Sequence, residues 1–254
     1  MFGRIEAYPG RTILPAHQHD CGQLIYASTG ILRAHTPAGI WVAPAARAVW
    51  IPAYLEHEVH ALTNVDLVNI KVRDPVGLFP TESCAIQVSP FLRELVFEIV
   101  ATSGANSDAP LRLAMTVLLV RQVRAAPHSP LKLPMPRDAR VLRICTEALA
   151  DPLATRDLAR LCGRHGVSER TLSRIFVRDC GMTFGNWRRN RDLIEALQRI
   201  GAGESIASVA SAMGYNSPSA FSSMFRTVLG ARPSQYFDAA GHVAVSVRGL
   251  AGSG

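Results

Sequence analysis

Residues 214–237 read GYNSPSAFSSMFRTVLGARPSQYF and combine a turn cluster, a short amphipathic segment and a second turn. Phe221, Met224 and Phe225 have the spacing of one apolar helix face and follow a capping position at Ser217. A helix with a single apolar face is stable when that face packs against other elements, so the segment predicts part of a helical domain. A similar arrangement, with its cap at Ser168, lies 49 residues earlier.

Each copy of this arrangement is preceded by a shorter helical pattern. Apolar positions at i, i+3, i+4 and i+7 are Leu158, Leu161, Cys162 and His165 in the first copy and Ile206, Val209, Ala210 and Met213 in the second. The turns contain Gly166 and Gly214. Helix, short glycine-containing turn and helix is the helix-turn-helix pattern, whose second helix enters the major groove of DNA. The sequence therefore predicts two such units, joined by a longer helix over residues 184–200.

Positive charge is concentrated in the region that contains the repeat. Residues 137–237 carry 15 basic and 9 acidic residues, against 11 and 10 in residues 1–136. Of the 27 basic residues only Lys71 and Lys132 are lysines, and arginine forms bidentate contacts with phosphate and guanine. A polyanionic partner is therefore predicted, whereas a generic helical bundle explains neither the charge nor the duplicated turn.

The N-terminal region has a different pattern. Residues 2–72 contain short β-branched and apolar runs separated by Gly, Pro and Asn, which predicts a small antiparallel β barrel or sandwich. Helices are predicted over 90–103 and 110–126, and the second is so apolar that another subunit is a candidate to cover it. We expect a β-rich domain over 1–126, a proline-rich linker over 127–136, an all-helical domain over 137–237 and a flexible tail over 238–254.

Cysteine usage and hydropathy indicate the compartment. The five cysteines are odd in number and show no C-x-x-C spacing, which favours a reducing environment over a disulfide framework. The sequence shows neither a signal-peptide pattern nor an apolar run long enough to cross a bilayer. A cytoplasmic protein with no membrane partner is predicted.

The C-terminal region resembles the DNA-binding domain of the AraC/XylS family of bacterial transcription regulators. VSERTLSRIF, residues 167–176, is similar to the first recognition helix of the family, and residues 214–237 are similar to its C-terminal signature. The resemblance covers residues 137–237 and implies a regulator with both helix-turn-helix units in one chain. His165 departs from the family, which has an apolar residue there, and we favour a buried imidazole with a partner over a pH sensor.

The outward-facing residues of the two second helices are the candidates for DNA contact. They are Glu169, Arg170, Ser173 and Arg174 in the first unit and Ser219, Ser222, Ser223 and Arg226 in the second. Arg170 and Arg174 are predicted to contact guanine, and Glu169 to accept a hydrogen bond from a cytosine amine. The second unit offers three hydroxyls and one arginine, so we expect it to contact mainly phosphates while the first supplies most of the specificity.

The N-terminal region resembles the cupin fold through two short motifs. His17, His19, Gln23 and His57 match the positions that supply ligands in metal-binding cupins, but Gln23 stands where those proteins have an acid. Tyr54 stands where they have the glycine of a Pro-x-Gly turn. Three imidazoles suit a divalent ion such as Zn, Fe, Ni or Cu, with Gln23 as a weak fourth ligand. Regulators of the AraC family also use this pocket for small organic effectors, so metal and organic occupants are both open.

Together these features predict an α+β protein, with a cupin-like antiparallel β barrel followed by helices and an all-α domain with two helix-turn-helix units. The predicted function is a sequence-specific transcription regulator, not an enzyme, controlled by an effector in the cupin domain. Expected partners are double-stranded DNA, a small-molecule effector, a second copy of the chain through residues 90–126, and RNA polymerase. A cupin metalloenzyme with an appended helical domain and a purely structural module are the alternatives.

Overall fold

The computed structural model of the chain describes residues 1–45, 47–73, 77–103, 108–128, 132–229 and 232–235, with only the backbone at residues 152 and 153. The predicted tail over 238–254 and residues 129–131 of the predicted linker lie outside these ranges. So does Gly230, a glycine whose position after the last apolar residues predicts the end of the final helix.

The N-terminal domain consists of two five-stranded antiparallel sheets. Sheet A contains, in spatial order, β1 (Phe2–Tyr8), β8 (Val65–Val72), β3 (Gly22–Ala27), β6 (Arg47–Ile51) and β9 (Cys84–Gln87). Sheet B contains β10 (Lys132–Pro134), β5 (Gly39–Pro44), β4 (Ile31–Thr36), β7 (His57–Ala61) and β2 (Ile13–His17). The inner faces of both sheets share one apolar cluster that includes Ile25, Leu32 and Val49, and this cluster forms the interior of the predicted cupin-like barrel.

Two helices cover the outer face of sheet A. They are α1 (Pro90–Ala101) and α2 (Ala109–Ala125), close to their predicted bounds. Their apolar residues pack with Tyr26 and Trp50 in one cluster. The face of α2 that points away from the sheet still carries apolar side chains, since Leu113 is 67% and Val117 54% exposed.

The C-terminal domain is helical throughout its described regular elements. It contains α3 (Ala139–Ala150), a 3-10 turn (Pro152–Arg156), α4 (Leu158–Arg164), α5 (Glu169–Cys180), α6 (Phe184–Gly201), α7 (Ile206–Ala212) and α8 (Pro218–Leu229). Side chains cap three of these helices, since Asp157, Ser168 and Ser205 accept hydrogen bonds from the first turns of α4, α5 and α7. None of the described helices combines the length and the apolar character needed to cross a bilayer.

A single apolar core joins the two domains. The residues of sheet B in this core are Ile31, Ile40, Val42 and Leu133, which pack in the same cluster as the buried residues of α3 to α8. Leu133 belongs to β10, so part of the predicted linker is a strand paired with β5 rather than a free connection. The outer face of sheet B is therefore a docking surface for the helical domain.

Next to this docking surface, sheet B carries a polar cluster on the same outer face. Ile31, Arg33 and His35 are every second residue of β4 and therefore lie on the same face of the strand. The side chains of Arg33 and His35 thus point to the side that the helical domain covers. An Arg33 Nη2 to His60 Nδ1 contact of 3.1 Å and a stack of the His35 and His60 rings, 4.6 Å apart, hold the cluster together. His60 also bonds Glu58, and the buried Nε2 of His35 has no hydrogen-bond partner.

Burial lowers the pKa of His35 to about 4, and the charges of Arg33 and His60 act in the same direction, while Glu58 opposes them. A histidine of the unfolded chain titrates near 6.5, so the unfolded state binds more protons between these values. Stability from this group is complete above the unfolded pKa and is lost as the pH falls from about 6.5 towards 4. We expect chemical denaturation to show that the wild type loses about 1 kcal/mol more than His35→Phe between about pH 7 and pH 5, after allowance for solvent screening. Equal losses in the two proteins would contradict this assignment.

Candidate DNA-binding and effector sites

The predicted base-reading face of the first unit is open to solvent. Glu169, Arg170, Ser173 and Arg174 are all exposed on α5. Leu172, Ile175 and Phe176 fill the opposite side of the helix and are buried. The helix begins where Ser168 Oγ accepts a hydrogen bond from the Thr171 N–H at 3.2 Å. The chain thus fixes the helix through its apolar side and leaves its polar side free.

The second unit has the same design with different chemistry. Ser219, Ser223 and Arg226 are exposed on α8 and Ser222 is half-buried, while Phe221 and Phe225 are fully buried. Ser217 Oγ caps the helix by accepting from the Ala220 N–H at 3.1 Å. This face presents small hydroxyls near the start of the helix and a single guanidinium further along.

One exposed residue of α5 was missed by the sequence analysis. Val177 is 54% exposed and lies three residues after Arg174, on the same face of the helix. The available signal was its position at i+7 from Arg170. The neighbouring Arg178 is less available to contact DNA, because its Nε donates a hydrogen bond to Asp179 at 2.6 Å.

Carboxylates fix the short helix of each unit to the preceding helix. In the first unit Glu147 on α3 accepts from His165 Nε2 at 2.7 Å and also pairs with Arg164. The structure therefore gives His165 a partner in a half-buried setting. In the second unit Glu204 accepts from Arg199 at 2.6 Å and 2.7 Å and from Ser208 Oγ at 2.6 Å. Hydrogen bonds from Arg199, then from Ser208, lower the pKa of Glu204 to about 2, so it is ionised at neutral pH.

Some of the arginines have structural roles. Arg191 is 6% exposed, and its Nη1 donates to the Ala148 carbonyl at 3.1 Å, near the end of α3. Arg188 Nη1 donates to the Thr155 carbonyl at 3.2 Å. These contacts anchor α6 to α3 and to the 3-10 turn that precede the first unit, so the net charge of the domain overstates the number of arginines directed at DNA.

In the N-terminal domain the three predicted histidines come together. Possible ligand nitrogens of His17, His19 and His57 all lie within 4.8 Å of one another. His57 pairs with His17 across β7 and β2. The two-residue spacing of His17 and His19 predicts that both lie on one face of one strand, but β2 ends at His17 and His19 lies in the loop that follows. Their ring centroids are nevertheless 4.8 Å apart.

Hydrogen bonds orient two of these rings in the way that metal ligands require. Nδ1 of His17 lies 2.6 Å from the Pro15 carbonyl and Nδ1 of His57 lies 2.8 Å from the Leu55 carbonyl. An Nδ1–H that donates to a carbonyl leaves Nε2 with a free lone pair. Burial lowers the pKa of His57, and burial followed by Lys71 lowers that of His19 to about 4. Both rings are therefore neutral at pH 7, the form that binds metals.

Gln23 lies beside the cluster. Its Oε1 is 2.9 Å from His57 Nε2, and its Nε2 donates to Asn69 Oδ1 at 3.0 Å. If His57 donates through Nδ1, its Nε2 lone pair faces another acceptor, an arrangement that a bound cation or a rotated amide satisfies. Lys71 Nζ lies 3.4 Å from His19 Nδ1 and its positive charge opposes a cation.

The turn before His57 keeps the shape that the cupin motif requires. Tyr54 has φ +60°, in the left-handed region that favours glycine, at the position where the motif has glycine. Its N–H donates to the His19 carbonyl at 2.7 Å and its side chain is 71% exposed. This hydrogen bond connects the turn to the histidine cluster and offsets the cost of the strained backbone, about 1 kcal/mol.

Comparisons with known proteins agree with the C-terminal architecture. A family profile described as a helix-turn-helix domain matches residues 161–239. The HTH-type transcriptional regulator NimR of Escherichia coli is 30% identical over 222 residues, which are 87% of this chain and 81% of NimR. The HTH-type transcriptional regulator RipA of Corynebacterium glutamicum is 33% identical over 105 residues, 41% of this chain and 31% of RipA.

Among solved structures, ToxT from Vibrio cholerae with a bound unsaturated fatty acid aligns over 93% of this chain and 94% of its own, with 12% identity and a TM-score of 0.38. A cupin superfamily protein from Desulfitobacterium hafniense aligns over 28% of this chain and 64% of its own, with 10% identity and a TM-score of 0.27. The relation to NimR and the matching domain establish the class. The chain belongs to the AraC family of helix-turn-helix transcription regulators.

Proposed function

We propose that the protein controls transcription by binding a specific DNA site with both helix-turn-helix units, under the control of an effector held by the N-terminal domain. The observation that carries this proposal is the pair of helices α5 and α8. Each buries an apolar face and exposes a polar one, and both belong to a domain with 15 basic and 9 acidic residues. Helices presented in this way are built to enter a major groove.

The exposed side chains of the two units suit different contacts with DNA. Arg170 and Arg174 are long donors suited to guanine, and Glu169 is an acceptor suited to cytosine. Ser219 and Ser223 on α8 are short and neutral, and suit phosphate oxygens that lie close to the helix. We therefore assign most of the base reading to α5 and most of the positioning to α8.

Substitution of the α5 arginines tests this division. Selection of bound fragments from a genomic DNA pool should yield a sequence motif for the wild type. Arg170→Ala and Arg174→Ala should each relax the base preference at single positions of this motif, with a loss of about 1–3 kcal/mol in binding free energy for the preferred base. Arg226→Ala should weaken binding to all sequences alike and make the salt dependence shallower by about one unit. Arg140→Ala is the matched control, because Arg140 is exposed but pairs with Asp138 outside both units.

Two outcomes would contradict the proposal. If the wild type and both α5 variants select the same motif, these arginines do not determine the base preference. Binding that is absent, or that does not weaken with salt, would remove DNA as the partner and favour a structural module. We infer no enzymatic role. The metalloenzyme alternative requires turnover at the histidine cluster, and DNA binding without turnover would exclude it.

For the effector site we propose the cluster of His17, His19 and His57, with Gln23 as a weak fourth ligand. The neutral rings of His19 and His57 and the oriented rings of His17 and His57 fit a divalent transition-metal ion, which would supply a charge that draws β2, β3 and β7 together. The charge of Lys71 supports a second candidate, a small organic anion bound at the same place. The ligand nitrogens, which lie within 4.8 Å of one another, need to be about 3.4 Å apart to share a tetrahedral ion.

Metal titration of the full chain decides between these occupants. With Zn²⁺ and Ni²⁺ as probes, calorimetry should give one site, His19→Ala should weaken it at least about tenfold, and Gln23→Glu should tighten it by supplying an acid. His128→Ala is the control, since His128 is exposed and far from the cluster in the sequence. Failure of the wild type to bind either ion, or binding indifferent to His19→Ala, would leave the organic effector as the occupant.

We further propose that the protein is a homodimer joined through α2. Leu113 and Val117 lie one turn apart on the outer face of the helix, and Leu111 and Leu118 extend this exposed apolar face. A second copy of the same helix covers such a face symmetrically and removes it from water. Dimer formation also brings two DNA-binding domains to one site.

Charge placed on this face should prevent association. Val117→Glu is expected to shift the sedimentation coefficient from dimer to monomer at micromolar concentration, because a carboxylate opposed to its own copy is desolvated and repelled. Val177→Glu is a matched control, since Val177 is also 54% exposed but lies on α5. A wild-type monomer, or a Val117→Glu dimer, would contradict the proposal.

We place the action of the protein in the cytoplasm, where bacterial DNA is found. A regulator bound near a promoter acts on RNA polymerase, which we propose as a further partner.

A further inference from the structure

The helix that joins the two helix-turn-helix units also bonds the N-terminal domain. Trp187 on α6 is fully buried, and its Nε1–H donates to the Pro134 carbonyl on β10 at 3.1 Å. One turn later, Asn190 Nδ2 donates to the Lys132 carbonyl at 3.3 Å. Cys180 Sγ, near the end of α5, lies 3.7 Å from the Pro134 carbonyl. Three side chains of the DNA-binding domain therefore contact a strand that belongs to sheet B.

The sheet is shaped to receive this strand closely. β10 pairs with β5 so that Leu133 lies opposite Ile40 and Pro134 opposite Gly39. Gly39 has φ +146°, and a Cβ atom there would lie 2.7 Å from the Leu133 carbonyl oxygen. Glycine is thus the residue that lets β10 approach, and the linker strand has a defined position.

We propose that Trp187 is a positioning residue at the joint between the two domains, which sets the orientation of α5 and α8 relative to the β barrel through its bond to β10. The indole lies on α6, the helix that joins the two units, so we expect a displacement of β10 within sheet B to move both recognition helices together. The proposal rests on the DNA-binding function argued above. It assigns a transmission role to residues that neither contact DNA nor belong to the histidine cluster.

The exposed recognition faces show what kind of control this joint exerts. In the docked arrangement Arg170, Arg174, Ser223 and Arg226 are all exposed. Docking therefore does not cover the faces that we assign to DNA. Loss of the joint should free the orientation of the domain without blocking its contact with a single DNA site.

Two buried tryptophans allow a matched test in the full chain. Trp187 stacks on Phe184 with an interplanar angle of 14° and donates to Pro134, whereas Trp50 stacks on Phe79 with an angle of 13° and donates to the Pro80 carbonyl at 2.8 Å within the N-terminal domain. Trp187→Phe and Trp50→Phe each remove one indole N–H and keep an aromatic ring. They differ in whether the lost bond crosses the domains.

Hydrogen exchange is the measurement. Trp187→Phe should accelerate amide exchange in residues 132–135 and in β5 at least about tenfold, while the α4 and α7 amides keep wild-type rates. Trp50→Phe should leave residues 132–135 protected. Asn190→Ala, which removes a second bond to β10 from a half-buried position, should reproduce the effect of Trp187→Phe more weakly.

The affinity for DNA distinguishes a change in the orientation of the helical domain from a general loss of folding stability. With a fragment selected by the wild type, Trp187→Phe should bind within about threefold of the wild type. Wild-type exchange at residues 132–135 in Trp187→Phe would overturn the proposal. Equal acceleration in β10, α4 and α7 would also overturn it, because it would show simple core destabilisation. If the wild type binds no DNA, the proposed function fails, and the exchange result still reports on the joint.

Discussion

The pairing of β10 with β5 is the interaction on which the arrangement of the two domains depends. It places Leu133 in an apolar core shared by sheet B and the helices, and it presents the Pro134 carbonyl to Trp187. A proline can occupy this strand because β10 is at the edge of its sheet. Without this pairing the outer face of sheet B would expose Ile40 and Val42 to water, at a cost in free energy set by their apolar area.

Within the helical domain the two helix-turn-helix units are stabilised in the same way. Each helix-turn-helix unit buries the apolar face of its recognition helix, and a carboxylate, Glu147 or Glu204, fixes its first helix to the helix before it. The polar faces are then free to differ, with arginines on α5 and hydroxyls on α8. Specificity therefore resides in exposed residues that do not contribute to the core, which allows the DNA site to change without loss of the fold.

Much of this organisation is predictable from the sequence, because it depends on local signals. Caps such as Asp157 and Ser168, together with apolar spacing, place the helices within one or two residues. The two short histidine motifs predict the grouping of His17, His19 and His57. The role of β10 is not predictable in this way. Its proline-rich sequence indicates a linker, and its pairing with β5, its bond to Trp187 and the polar cluster of Arg33 and His35 depend on contacts between distant parts of the chain. Non-local pairing leaves no periodic signal in the strand itself.

The two domains should unfold as one cooperative unit, since they share an apolar core and are not joined by a flexible connection alone. Scanning calorimetry of the full chain without DNA tests this expectation most directly. We expect a single transition whose calorimetric and van't Hoff enthalpies agree. Two separate transitions, one for each domain, would contradict the account, because they would show that the joint at β10 does not hold the domains together.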